Sequence, residues 1–188
     1  VTTTLFGIDP SQFTLGFKNF TRGSGSMTVT SRNFATVGSE PGSFGTGVPT
    51  LDLGSAMRLG DVVRIGGIKD ASLEAITAGT PGTFRSNFAM METTGQAPVT
   101  VLVTLHYTFS TGSLAVARGS ASKPYTLQPN EFKQLPRISN EILGDSRDDF
   151  GDFNNLQADF TVIDGDGAAI VFVSSVENDT GDSILRVK

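Results

Sequence analysis

Residues 99–109 read VTVLVTLHYTF, and the reading of this stretch decides the fold. Val99, Val101, Val103, Leu105, Tyr107 and Phe109 fall on one side of a period-two alternation. Thr100, Thr104, His106 and Thr108 fall on the other. Successive side chains of a strand point to opposite faces, so this pattern specifies a strand with one face for a core and one for water. The β-branched and aromatic content agrees with that conformation.

Working outward, the same grammar recurs on both sides. Upstream, DVVRIGGI (61–68) reads as a strand, and DASLEAITAGTPG (70–82) holds at most one helical turn. TFRSNFAMMET (83–93) alternates with Phe84, Phe88 and Met90 in phase, and GQAP (95–98) turns the chain. Downstream, STGS (110–113) leads into LAVAR, and PYTLQPNEFKQL (124–135) reads as strand, Pro-Asn turn and strand. ISNEILG (138–144) is the one helix the sequence predicts, with Ser139 as N-cap and Gly144 as C-cap. After the acidic loop DSRDDFGDFNN come LQADFTVI, the turn DGDG, AAIVFVSSV, the turn ENDTGD and SILRV. Short strands at regular spacing, punctuated by Gly, Pro, Asn and Asp, predict an all-β sandwich. Phe84, Phe88, Tyr107, Phe132, Phe160 and Phe172 are spaced as its core.

The first 60 residues read differently. FTLGFKNF (13–20) alternates at Phe13, Leu15 and Phe17, and SMTVTSRNF (26–34) places Met27 and Val29 on one face. Residues 36–60 are rich in Gly, Pro and Ser, with isolated anchors at Phe44, Val48, Leu51, Leu53 and Met57. They read as an extended connector lying across a surface.

An internal repeat underlies this division. From Leu5 the order is Leu-Phe-Gly, polar loop, strand FTLGFKNF, Gly turn, strand MTVTS. From Ile142 it is Ile-Leu-Gly, polar loop, strand LQADFTVI, Gly turn, strand IVFVSS. The expected organisation is a partial repeat (second half only) at 1–35, the connector at 36–61 and a complete sandwich at 62–188. The half repeat lacks the partner layer that its apolar strands need.

The motifs Gly82-Thr83-Phe84-Arg85-Ser86-Asn87, Val99 to Leu105, Leu127 with Pro129 and Phe132 to Leu135, and Asn178 to Asp182 carry a resemblance. Together they resemble the tandem immunoglobulin-like β-sandwich repeat found in C-terminal regions of large secreted bacterial surface proteins and proteases. The resemblance implies an immunoglobulin-like fold and an extracellular, secreted or cell-surface location. It supplies no catalytic residues. The acidic loop after Gly144 and the missing first half of the leading repeat depart from the pattern.

Composition narrows the function classes. The net charge is −5, and the 14 basic residues form no run, which argues against nucleic acid and anionic membranes. There is no cysteine, hence no disulfide and no thiolate chemistry. No apolar run approaches transmembrane length, so no membrane insertion is expected. The chain opens on Val1, as expected of a processed product without its signal peptide. His106 is the single histidine, and no G-x-S-x-G, H-E-x-x-H or P-loop is present, so no enzyme is expected. With no Trp and two Tyr, an aromatic sugar platform is disfavoured. Asn19-Phe20-Thr21 and Asn178-Asp179-Thr180 match a glycosylation sequon, which carries no weight in a bacterial protein.

The acidic loop offers one candidate metal site. Asp145, Asp148, Asp149 and Asp152 are hard oxygen ligands at short spacing, which suits calcium; the alternative is a solvated acidic loop. No other cofactor is expected. The partner expected is the chain itself, with Phe13, Leu15, Phe17, Met27 and Val29 as assembly-strand residues. Head-to-tail completion of a half domain does not close and builds a fibre, so the expected function is a non-enzymatic subunit of an extracellular filament or array. The alternative is an accessory module of a larger secreted enzyme or adhesin.

Overall fold

A computed structural model describes residues 29–37, 40–48, 53–110, 116–178 and 183–187. The strands are β1 (Val29–Val37), β2 (Glu40–Val48), β3 (Val62–Asp70), β4 (Phe84–Glu92) and β5 (Val99–Ser110). They continue with β6 (Val116–Leu127), β7 (Phe132–Leu135), β8 (Phe153–Asp164), β9 (Ala169–Glu177) and β10 (Ser183–Val187). Two short helices, α1 (Leu73–Thr77) and α2 (Ile138–Leu143), complete the set with a 3-10 segment at Gly144–Asp149.

The protein is all-β. Two antiparallel four-stranded sheets, β3-β8-β5-β6 and β10-β9-β4-β7, face each other as a sandwich. The alternation at 99–109 is realised in full where it is described: Val99, Val101, Val103 and Leu105 are completely buried in β5. Their partners across the core are Phe88 and Met90 of β4 and Val171 and Val173 of β9. Phe88 meets Tyr125 edge-on at 5.5 Å and Phe160 at 6.1 Å, so aromatic contacts tie the two sheets together. Each such ring contributes roughly 1.5–3 kcal/mol by burial.

One end of the sandwich is closed by the chain entering it. Met57 exchanges two backbone hydrogen bonds with Ala169 of β9, and its side chain is buried. Three residues later Gly60 donates to Val162 of β8, whose N–H returns to Asp61. The segment 57–61 therefore bonds to both sheets before β3 begins. At the other end α2 drives Ile138 and Ile142 into the core.

Two expectations are corrected, after one observation on the connector. Residues 40–48, read as part of an extended connector, form β2, which pairs with β1 through nine registered positions from Val29↔Val48 to Val37↔Glu40. The ladder includes Thr36 and Val37 opposite Pro41 and Glu40, so part of the expected connector is itself extended as a strand. Ser139 is not the N-cap of α2: Arg137 stands there, at φ 52°, with no side-chain cap. The Ser139 hydroxyl is instead taken up by the Asp70 carboxylate. Finally, Phe132 and Phe172 are not core. They stack at 6.2 Å on the outer face of their sheet, since Phe172 alternates with the buried Val171 and Val173.

Candidate functional site

Three places gather polar or chemically capable side chains. The first is the end of the sandwich where the β4–β5 and β8–β9 loops meet. Glu92, the last residue of β4, is fully buried beneath these loops. Its carboxylate accepts the Thr94 hydroxyl and the backbone N–H groups of Thr94, Gly95 and Asn130, the last three at 2.7, 2.8 and 2.9 Å. Burial pushes this carboxyl up, and the donors outweigh burial, the Thr94 hydroxyl first. The net result holds it at about 2. Above it lies a depression of about 460 Å³ lined by Arg58, Thr94, Gln96 and Asp166 among others. Glu92 is committed to its donors, so it anchors the loops and is not a general base.

The second place is the outer face of β3-β8-β5-β6. Asp159 of β8 receives a two-pronged bond from Arg64 of β3, at 2.8 and 2.7 Å. The bond from Arg64 holds its carboxyl below the ordinary range, against the upward push of burial. His106 Nε2 stands 3.4 Å from the same carboxylate. Around them run hydroxyls in cross-strand pairs: Thr100 with Thr126 at 3.0 Å and Thr104 with Ser122 at 2.9 Å. Among the described residues no hydroxyl bonds to His106, so the histidine and carboxylate of a triad are present here without a nucleophile in line. This face is a hydroxyl-rich, hydrated surface.

The third is the acidic loop. Asp145, Asp149 and Asp152 are exposed, and Asp152 accepts the Ser72 backbone N–H at 2.7 Å. The side chain of Asp148 lies outside the described residues. Among the described residues no three metal-binding side chains converge. What organises the loop is Arg147, 1% exposed. It donates to the Ser139 hydroxyl at 2.7 Å and to the carbonyls of Phe150, Gly151 and Asp70 at 2.8, 3.1 and 3.2 Å. Of the assembly residues, Phe13, Leu15, Phe17 and Met27 also lie outside the described residues, while Val29 opens β1 opposite Val48.

The sequence reading missed the outer face of β10-β9-β4-β7. Registers align Val187, Phe172 and Ala89 across three strands, and Ile170, Met91 and Phe132 across the next row. Leu185 extends the patch beside Ser174. This sheet is therefore apolar on both faces. The signal was present: FAMM and AAIVFV are nearly unbroken apolar runs rather than alternations, the mark of strands covered on both sides.

No family model, no curated protein and no solved structure matches the chain.

Proposed function

We propose that this protein is a non-enzymatic, extracellular structural protein, a subunit of a bacterial surface filament or array assembled by inter-subunit strand or half-domain complementation. The observation that carries the reading is the contrast between the two outer faces. One presents paired hydroxyls, Arg64 and His106 to water, with the Asp159 carboxylate buried beneath them. The other is apolar, with Ile170 buried and Phe172, Met91, Leu185 and Val187 half-buried along it. A sheet that is apolar on both faces is one that packs on both, and this favours a layered assembly over an isolated sandwich.

The sandwich is of immunoglobulin-like type in this reading. With strands lettered from β3, the pairs β4–β7 and β5–β8 correspond to the B–E and C–F pairs of that fold. Three strands lie in the other sheet relative to it, β3 beside β8, β9 beside β4, and β6 beside β5 rather than β7.

Light scattering of the purified chain over a concentration series, beside negative-stain electron microscopy, tests the function. Regular fibres or arrays are expected. A strictly monomeric protein at high concentration would overturn the assembly reading and leave the accessory module in its place.

A further inference from the structure

Ile163 and Ile170 flank the same turn, each one residue in from a strand end, and each points out of its sheet. Ile163, on the outer face of β3-β8-β5-β6, is 45% exposed. Ile170, on the outer face of β10-β9-β4-β7, is 6% exposed. Ala89 on that second face is 1% exposed, and Phe172, Met91, Phe132, Leu185 and Val187 around it are half-buried. One outer face is open and the other is covered. The cover is not the partner sheet, which lies on the inner face.

The element outside the sandwich that lies beside this sheet is β2, which runs alongside β10. The two share no ladder: β2 pairs with β1, and β10 with β9. They meet by packing and not by strand addition. β2 carries Gly42, Gly45 and Gly47, and glycine in a strand permits close approach of another backbone. The chain then re-enters at the end of the same sheet, where Met57 bonds to Ala169. Nine positions separate Val48, the end of β2, from Met57. At up to about 3.3 Å each, they tether the ribbon within about 30 Å of its own sandwich. So short a tether gives an effective concentration in the millimolar range, which favours the ribbon's own sandwich over any other. A lone two-stranded ribbon is marginal in water, so it needs such a face.

We infer that the β1–β2 ribbon packs as a third layer against the outer face of β10-β9-β4-β7 in its own chain, and that the free protein holds this face closed. The contact is autoinhibitory in kind. It does not depend on the filament reading, but it constrains it: a subunit would have to release its own ribbon before this face could take part in any joint.

Hydrogen exchange of the full-length chain, read by mass spectrometry on peptides from 29–48, tests the contact. Exchange there is expected to be about tenfold or more slower than in an unstructured chain, and equally slow at every protein concentration. Phe172→Lys puts a charge on the covered face and should remove that protection while peptides from β5 keep theirs. Leu185→Lys, on the edge strand, repeats the test with less risk to the fold. Ser122→Lys, on the open face, should change neither region. Exchange of 29–48 at the unstructured rate in the parent would overturn the inference, as would protection that survives both lysines on the covered face. Protection that appears only as concentration rises would assign the cover to another copy and overturn the own-chain contact. Fibre formation is read separately by light scattering, so a failure of this contact and a failure of the filament reading are distinct results.

Discussion

The carboxylate of Asp70, at the end of β3, accepts the backbone N–H of Ser139 in the first turn of α2 at 3.1 Å. The helix is thus capped from a distant strand and not from its own N-terminal residue. Asp70 also accepts the Ser86 N–H at 3.2 Å and the Ser139 hydroxyl. It is completely buried, so removing it strands several donors at once. Asp70→Ala is expected to cost about 3–5 kcal/mol in urea unfolding. Ser139→Ala, which leaves the backbone bond, should cost roughly 1–2 kcal/mol.

Asp70 and Glu92 pull stability in opposite directions with pH. Burial raises the Asp70 carboxyl above its ordinary value, so the native state holds that proton more tightly than the unfolded chain. Its contribution falls as pH rises from the unfolded value toward the raised native one. Glu92, lowered from 4.5 to about 2, contributes fully above its unfolded value. That contribution is lost as pH falls from about 4.5 through about 2. Glu92→Gln is expected to lose about 2–3 kcal/mol at pH 7, because an amide nitrogen would face N–H donors. Its stability between pH 5 and pH 2 should also be flatter than that of the parent, read by thermal melts across that range.

Phe160 and Phe172 are both aromatic strand residues and should behave differently. Phe160 is completely buried between the sheets, and Phe160→Ala is expected to cost about 3–5 kcal/mol. Phe172 lies on the outer face, and Phe172→Ser should cost the isolated sandwich under about 1.5 kcal/mol while weakening self-association. Paired denaturant melts and light scattering separate the two. Equal losses of stability would contradict the assignment of faces.

Gly165, in the β8–β9 turn, has φ 94°, and a Cβ there would sit 2.3 Å from the Pro98 carbonyl oxygen. Gly165→Ala combines backbone strain with a clash against backbone, and a loss of at least about 1–3 kcal/mol is expected. Gly151→Ala, with open space around its Cβ, serves as the control with a change within about 0.5 kcal/mol.

What the sequence made legible is what period-two patterning governs. β5 could be read residue by residue because one side of it is core and the other is water. The Asp164–Gly167 turn and the C-cap Gly144 were legible because positive φ selects glycine. The cap of α2 was not, since Asp70 and Ser139 are 69 residues apart and local pattern carries no long-range pairing. Arg147 was hidden for the same reason: in DSRDDF it reads as a cation among acids, and only tertiary structure turns it inward. The outer apolar face was visible in FAMM and AAIVFV, but a continuous run does not say which face meets which neighbour.

The segment Met57–Asp61 joins β9 through Met57 and β8 through Gly60 and Asp61. A pull on the chain before Met57 would enter the sandwich there and be divided at once between the two sheets. Tension arriving there must shear several backbone bonds on two walls together before β3 can peel from its edge. The entry strap would therefore act as a strain relief, spreading a load on the preceding chain over both sheets before it reached the core.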